Sequence, residues 1–155
     1  MPLKLMTPGD REILFERRFA AARPQVWRAL TEPDLVRKWL LGPEGWTMPV
    51  CEIDLRVGGR MRFEWARGDA RMGLTDTLTE IVPEQKLVAT EIFDEDWTGG
   101  QTVVTQSLHD DGDGTILRTH IVYPSQEARD GARMSGMTNG MEAGYARLDG
   151  MFEAA

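Results

Sequence analysis

The sequence contains one cysteine, Cys51, and two histidines, His109 and His120. A single cysteine cannot form a disulfide within the chain, and it cannot supply the several thiolates of a zinc cluster. The two histidines could be combined on paper with a carboxylate such as Glu91, but their spacing matches no metal-binding pattern. We therefore expect neither a metal nor a cofactor.

Long apolar segments are also missing. A membrane-spanning helix needs about 18 or more consecutive apolar residues, and the chain has no such run. The first residues, MPLKLMTPGD, contain one lysine and lack the apolar segment of a signal peptide. The sequence therefore predicts a cytoplasmic protein that does not insert into membranes.

Basic residues are outnumbered by acidic ones. Lys and Arg total 18, Asp and Glu total 25, and the formal net charge is −7. Such a field repels a phosphate backbone, so we do not expect nucleic acid as a partner. Arg11, Arg17 and Arg18 lie close together, but alternation along a strand would spread them over a solvated face. We interpret all three as surface charges.

No linker, repeat or low-complexity segment divides the chain, and 155 residues suit one domain with one hydrophobic core. We expect a short N-terminal extension over residues 1–10 and a single domain over residues 11–155.

The acidic run DDGDG at 110–114 lacks the ligand spacing and the terminal glutamate of a calcium-binding loop, so it predicts a hairpin turn.

Apolar alternation predicts that most of the chain is β-sheet. In the first strand, at 11–19, one side would carry Ile13, Phe15, Arg17 and Phe19. Two short helices follow, and the second ends at Gly42-Pro43. Further strands are predicted at 50–57, 60–65, 72–82, 87–93, 102–109 and 115–123. Because the helices are segregated from a mostly antiparallel sheet, the predicted fold class is α+β.

The last predicted helix, from Ser125 to about residue 153, contains the unusual segment ARMSGMTNGMEAGYARLDGMF. Its apolar side recurs every three to four positions, at Met134, Met137, Met141, Tyr145, Leu148 and Phe152. Each glycine in a helix interior costs about 1 kcal/mol relative to alanine, yet a flank beside the apolar side carries Gly136, Gly140 and Gly144. The side predicted to face water carries Ser135, Asn139, Glu142 and Asp149.

Two interpretations of this helix stay open. Its glycines could permit close approach of a strand or of a second subunit, while its methionines fill gaps in the core. Alternatively, the helix could be the lid of a cavity, in which methionines adapt to an apolar ligand. The chain also has more large rings than a small core usually needs. The candidate cavity wall comprises Trp39, Trp46, Phe63, Trp65, Trp97, Met137, Met141 and Tyr145.

Three segments carry a resemblance to a known family: FAAARPQVWRALTEPDLVRKWLLGPEGWT, CEIDLRVGGRMRFEW and YPSQEARDGARMSGMTNGMEAGYARLDGM. They resemble bacterial proteins similar to the C-terminal domain of the heat-shock-protein-90 ATPase activator. This family belongs to the helix-grip (SRPBCC) superfamily, which is similar in fold to START lipid-transfer domains and to the birch-pollen allergen. The resemblance covers roughly residues 11–153.

The resemblance implies a curved antiparallel sheet of six or seven strands wrapped around a long C-terminal helix, with two short helices after the first strand. It also implies a cavity between sheet and helix, because members of the superfamily bind lipids, hormones or polyketides, and a few catalyse cyclisation or hydrolysis. Chaperone stimulation is not expected, since the eukaryotic activator uses a separate N-terminal domain for which this chain has no room.

Catalytic candidates are few. Asp76 shares its predicted face with Leu74 and Leu78, so it could point inward as a general acid or base or as a polar anchor. His120 and Arg118 share a predicted face with Ile116 and Val122 and could be polar anchors on the same reasoning, and His120 is the other candidate proton carrier. Ser107 and Ser135 lack the context of a nucleophile elbow, so no hydrolase triad is expected.

The sequence therefore predicts a protein that binds a small hydrophobic or amphipathic ligand between the sheet and the last helix. The first alternative is an enzyme that acts on such a ligand by acid–base chemistry in the same cavity. The second is a chaperone-associated interaction module. A homodimer is compatible with all three, because the glycine flank could serve contact between subunits.

Overall fold

The computed structural model of the protein describes residues 3–154. Within this range, eight strands and four helices follow one another. They are β1 (Lys4–Met6), β2 (Glu12–Phe19), α1 (Arg23–Thr31), α2 (Pro33–Trp39), β3 (Thr47–Ile53), β4 (Arg60–Arg67), β5 (Ala70–Val82), β6 (Lys86–Phe93), β7 (Thr102–Asp111), β8 (Gly114–Val122), α3 (Gln126–Met134) and α4 (Met137–Ala154). No helix within residues 3–154 has the length and apolar character needed to cross a membrane.

All eight strands form one antiparallel sheet in the order β1-β2-β8-β7-β6-β5-β4-β3. The sheet is curved and unclosed, and the prediction of an α+β helix-grip fold is confirmed. Alternation places Ile13, Phe15 and Phe19 on a fully covered face of β2. We call this side of the sheet, against which α4 packs, the concave face, and the other side the convex face.

The sheet has eight strands, so the predicted count of six or seven is wrong. Residues 1–10 were assigned to an extension, but Lys4–Met6 within them form β1, whose Leu5 pairs with Phe15 of β2. Three residues are too few to show alternation, and β1 is held only by the ladder of β2. The strand predicted at 50–57 lies earlier in the chain, because β3 begins at Thr47 and ends at Ile53, where the chain turns toward β4.

The C-terminal segment forms two helices, so the prediction of one continuous helix from Ser125 is wrong. Ser125 does cap α3, since its Oγ accepts a hydrogen bond from the Ala128 N–H. Gly136 has a φ of +85°, in the left-handed region that favours glycine just past a helix end. The break turns Met134 away from the apolar side, and its side chain is 85% exposed.

Arg17 is buried, so its interpretation as a surface charge is wrong, whereas Arg18 lies on the convex face beside Asp111. Arg17 is 5% exposed, and its guanidinium donates to Asp149 Oδ2 at 2.7 Å and to Glu142 Oε1 at 3.1 Å. Glu142 and Asp149 were expected to face water, but both turn toward β2. Because they are seven residues apart, they lie on one side of α4. We call these three residues the arginine clamp.

Candidate functional site

A row of polar side chains crosses the concave face near one end of the central strands. Asp76 on β5 pairs directly with Glu91 on β6, and Glu91 pairs with Thr102 on β7. Tyr123 directly follows β8 and extends the row by one strand. Side chains at such paired positions have Cβ atoms about 5 Å apart. We call Asp76, Glu91, Thr102 and Tyr123 the polar row.

Two atoms of the polar row are buried without a partner. Asp76 is only 8% exposed, and its Oδ1 receives no hydrogen bond from any residue in the described range 3–154. The fully buried Thr102 likewise has no partner for its Oγ1 within that range. A buried polar group without a hydrogen bond costs about 1–3 kcal/mol, so proteins seldom keep two in one place without a use for them.

The carboxyl groups of Asp76 and Glu91 lie side by side on neighbouring strands. Burial, and next the neighbouring Glu91 carboxyl, raises the pKa of Asp76 well above its usual range. Burial also raises the pKa of Glu91. Ionising both neighbouring carboxyl groups would place two negative charges side by side, which costs free energy. The pair therefore retains a proton at higher pH than free carboxyls do.

Tyr123 stands at the other end of the polar row. Burial, followed by the charge of Glu91, raises the pKa of its phenol above the ordinary value, so Tyr123 stays neutral. Its O–H donates to the Met137 Sδ at 3.7 Å. Because Met137 is the first residue of α4, this contact joins the polar row to the start of the helix that covers the concave face.

Aromatic rings border the polar row on one side. Phe93 lies two residues beyond Glu91 on the same face of β6. The ring of Trp97, in the loop after β6, lies 5.3 Å from the ring of Phe93 and 6.2 Å from the ring of Tyr123, measured between centroids. Trp97 is 48% exposed, so one side of its ring faces solvent. We call Phe93, Trp97 and Tyr123 the aromatic rim.

An open cleft of about 290 Å³ lies at this end of the sheet. Its lining includes Trp65, Met72, Phe93 and Trp97. Phe93 pairs with Leu74, and Asp76 is two residues farther along β5, which corresponds to about 7 Å at the rise of a strand. The cleft therefore lies one row of side chains from the carboxyl pair. A second cleft, of about 440 Å³, lies at the β3–β4 turn, where Glu52, Arg60 and Arg62 line it.

Four of the predicted wall residues are core residues. Trp39, Phe63, Trp65 and Tyr145 are all buried. The Trp39 and Tyr145 rings stack with centroids 5.7 Å apart, and the Trp39 Nε1–H donates to the Ala29 carbonyl at 2.8 Å. These contacts fix the rings against α1 and α4, away from the polar row.

The other four predicted wall residues are less enclosed. Trp46, Met137 and Met141 are half-buried, and Trp97 is the exposed member of the aromatic rim. Met141 packs against both hydrophobic clusters of the core. The structure thus brings Trp97 and Met137 to Tyr123 and the polar row.

His120 lies on the convex face, so it cannot act between the sheet and α4. Its Nε2 is 2.7 Å from the Glu12 Oε1, and Arg118 lies on the same face. His109 is also on the convex face, where its Nε2 is 2.9 Å from the Ser107 Oγ. Within residues 3–154, no group of three or more histidine, cysteine or acidic side chains could hold a metal ion.

The glycine flank of α4 is covered by the end of α2 and the loop that follows it. A Cβ on Gly144 would lie 2.9 Å from the Trp39 carbonyl oxygen, and one on Gly140 would lie 3.4 Å from Pro43 Cδ. The Arg147 guanidinium donates to the Gly42 carbonyl at 2.8 Å across the same contact. These two glycines therefore allow the end of α2 and the following loop to approach α4, and they leave no volume for a ligand on that side.

Sequence reasoning named Asp76 but missed its neighbours in the site. Glu91 was considered only as a metal ligand, while Thr102, Tyr123 and Phe93 were not singled out. A signal was present, because Glu91 occurs at the same parity as Leu87, Ala89 and Phe93 in its strand. An acidic residue at an inward-facing position of a predicted strand indicates a candidate site, and this reasoning applies to Glu91 in β6 as it does to Asp76 in β5.

Comparison with known proteins places this arrangement in a family. The structure superposes on a crystal structure of a protein from Rhodobacter sphaeroides with a TM-score of 0.94 and 35% identity, over 100% of both chains. A Mycobacterium smegmatis protein gives a TM-score of 0.86 at 20% identity, over 99% of both chains. A Nitrosomonas europaea protein gives 0.81 at 21% identity, over 96% of this chain and 99% of the other.

No curated protein matches the chain in sequence. The sequence model of the family described as "Activator of Hsp90 ATPase homolog 1-like protein" matches residues 20–153. That match spans α1 to α4 and includes every residue of the polar row. The chain belongs to the Activator of Hsp90 ATPase homolog 1-like protein family.

Proposed function

We propose that the protein binds a small hydrophobic or amphipathic molecule between the concave face and α4, with the molecule's polar end at the polar row. The observation that carries the proposal is the pair of buried, unpartnered oxygens, Asp76 Oδ1 and Thr102 Oγ1, beside the aromatic rim. A ligand that donates a hydrogen bond there would satisfy groups that the described chain leaves unpaired. Proteins of this fold generally bind hydrophobic ligands.

The affinity of such a ligand would come mainly from its apolar part. Each methylene group removed from water contributes about 0.8 kcal/mol. Met137 and Met141, at the start of α4, can adjust their unbranched side chains to different shapes. The polar row would then fix the orientation of the ligand, as a few polar groups do in most apolar sites.

The test is a fluorescence titration with the neutral apolar probe N-phenyl-1-naphthylamine. We expect saturable binding to the native protein, and an affinity at least about tenfold lower for Met137→Lys, because a charge at this half-buried position disfavours an apolar neighbour. Met134→Lys is the matched control, since Met134 is exposed on the adjoining helix and should leave the affinity unchanged. Equal probe affinity in both variants, with both folded, would refute the proposed location.

A second candidate function is acid–base catalysis on the bound molecule. The observation that favours it is the buried Asp76–Glu91 carboxyl pair, whose raised pKa values leave it a proton that could be transferred to a ligand at the polar row. Native mass spectrometry of the protein and of Asp76→Asn, purified from the same host, separates the candidates. A catalyst should retain the unreacted precursor of the molecule found in the native protein once its acid is removed, whereas a carrier should retain the same molecule at equal or lower occupancy.

A further inference from the structure

The polar row has an excess of hydrogen-bond acceptors over donors. Asp76 and Glu91 together offer four carboxyl oxygens, and the pair's own proton occupies only part of that capacity. Tyr123 directs its O–H to Met137, which leaves the Thr102 hydroxyl as the remaining donor of the row. A ligand group that fits here must therefore donate hydrogen bonds.

The row also lacks a positive charge. No lysine, arginine or histidine within residues 3–154 forms an ion pair with Asp76 or Glu91, and the charged group that acts on each is the other carboxyl. Elsewhere on the concave face, Arg17 is bound to Asp149 and Glu142 of α4. A carboxyl pair that keeps one proton carries a single negative charge, which one cation would balance.

The aromatic rim supplies the second feature that a cation prefers. Phe93 lies two residues from Glu91 along β6, Tyr123 lies two strands from it across the sheet, and Trp97 contacts both rings. The negative faces of aromatic rings attract organic cations, most strongly where water is displaced. An alkyl chain attached to the cation would meet the same rings and the methionines of α4.

We propose that the ligand is an amphipathic amine, whose ammonium group binds Asp76 and Glu91 and whose apolar part lies along the aromatic rim under α4. This inference rests on the proposed function and specifies its ligand class. The same acceptors disfavour a fatty acid, because its carboxylate would lie against Glu91 with no cation to balance it. A neutral alcohol could donate one hydrogen bond but would leave the negative charge unbalanced.

The experiment compares decylamine, 1-decanol and decanoate as competitors of N-phenyl-1-naphthylamine, each below its micellar concentration. We expect decylamine to bind at least about tenfold more tightly than decanol, because its hydrogen bonds are charge-assisted. Decanoate should be the weakest. Asp76→Asn should abolish the preference, so that decylamine binds no more tightly than decanol, and Glu91→Gln provides a second variant should the first fail to fold.

The control separates this site from general attraction of cations to a chain of charge −7. Asp54→Asn removes one exposed carboxylate, which pairs with Arg56 on the β3–β4 turn, and it should keep the preference for the amine. Equal affinities for amine and alcohol would overturn the amine assignment and leave the proposed function intact. A preference that survives in both Asp76→Asn and Glu91→Gln would also overturn it. Failure of the probe and of all three competitors to bind would overturn both proposals.

Discussion

The concave face contains two sets of buried ionisable groups that differ in whether the protein itself supplies their partners. In the arginine clamp, Arg17 donates to Asp149, to Glu142 and to the Arg18 carbonyl, and only its Nε is unpartnered within the described chain. In the polar row, two acids face each other without a cation. The clamp balances its cation with two carboxylates of the protein and fixes α4 to β2. The polar row is incomplete, and we interpret this difference as the distinction between a structural contact and a binding site.

The largest expected effect is on the clamp. Arg17→Ala should lower the free energy of unfolding by about 2–3 kcal/mol, because it removes a buried cation from two carboxylates. That figure is below the range for fully buried pairs, since the side chains of Glu142 and Asp149 are 40% and 37% exposed. Urea unfolding measures the change. Arg18→Ala, on the exposed face of the same strand, is the control and should have a much smaller effect. Similar losses in both variants would show that the clamp is not structural.

The next prediction concerns the closed side of α4. Gly144→Ala should lower the free energy of unfolding by about 1 kcal/mol, because the clash with the Trp39 carbonyl outweighs the gain in helix propensity. Gly150 lies in the same helix with no other atom within 4 Å of the added Cβ. Gly150→Ala should therefore raise the free energy of unfolding by about 0.5–1 kcal/mol. Thermal or urea unfolding of the two variants decides the matter, and stabilisation by Gly144→Ala would contradict the close contact.

A smaller effect is expected on how stability depends on pH. Asp76 has a pKa raised in the folded state above its ordinary value of 3.8, so between the two values the folded protein binds more protons than the unfolded chain. Its contribution to the free energy of unfolding therefore falls as pH rises. Asp76→Asn removes this loss and should be more stable than the native protein at neutral pH.

The advantage of Asp76→Asn should shrink as the pH is lowered toward the ordinary pKa. Asp94→Asn provides a control of opposite sign, because the hydrogen bond from Arg62 lowers the pKa of Asp94. Its native carboxylate stabilises the fold at neutral pH and loses that effect in acid, so the variant should be less stable at neutral pH. Unfolding curves collected across this range test both signs. A neutral-pH loss in Asp76→Asn would contradict the description of the carboxyl pair.

Local patterns in the sequence were sufficient to predict the α+β fold class. Alternation placed most strands within a few residues of their observed ends, and it put Asp76 on the side of Leu74 and Leu78. The same alternation had already placed Arg17 beside Phe15 and Phe19. The interpretation as a surface charge failed because its partners on α4 are more than a hundred residues away in sequence.

The site depended on information that no local pattern contains. Asp76 and Glu91 face each other only because β5 and β6 pair in one register, and a shift by one residue would put them on opposite faces. The aromatic rim joins a loop residue, Trp97, to residues of two strands. The helix break at Gly136 was easier to predict, since a glycine just past the C-cap residue, here Ser135, commonly ends a helix, but the apolar spacing across it concealed the break.

The measurement that tests the central claim most directly is NMR of the methionine methyl groups during titration with N-phenyl-1-naphthylamine. If a ligand enters between the concave face and α4, the methyl signals of Met137 and Met141 should shift and saturate together. The exposed Met134 should stay unchanged as an internal control. Shifts confined to Met134, or no saturable shift at Met137 and Met141, would contradict a binding site at the polar row.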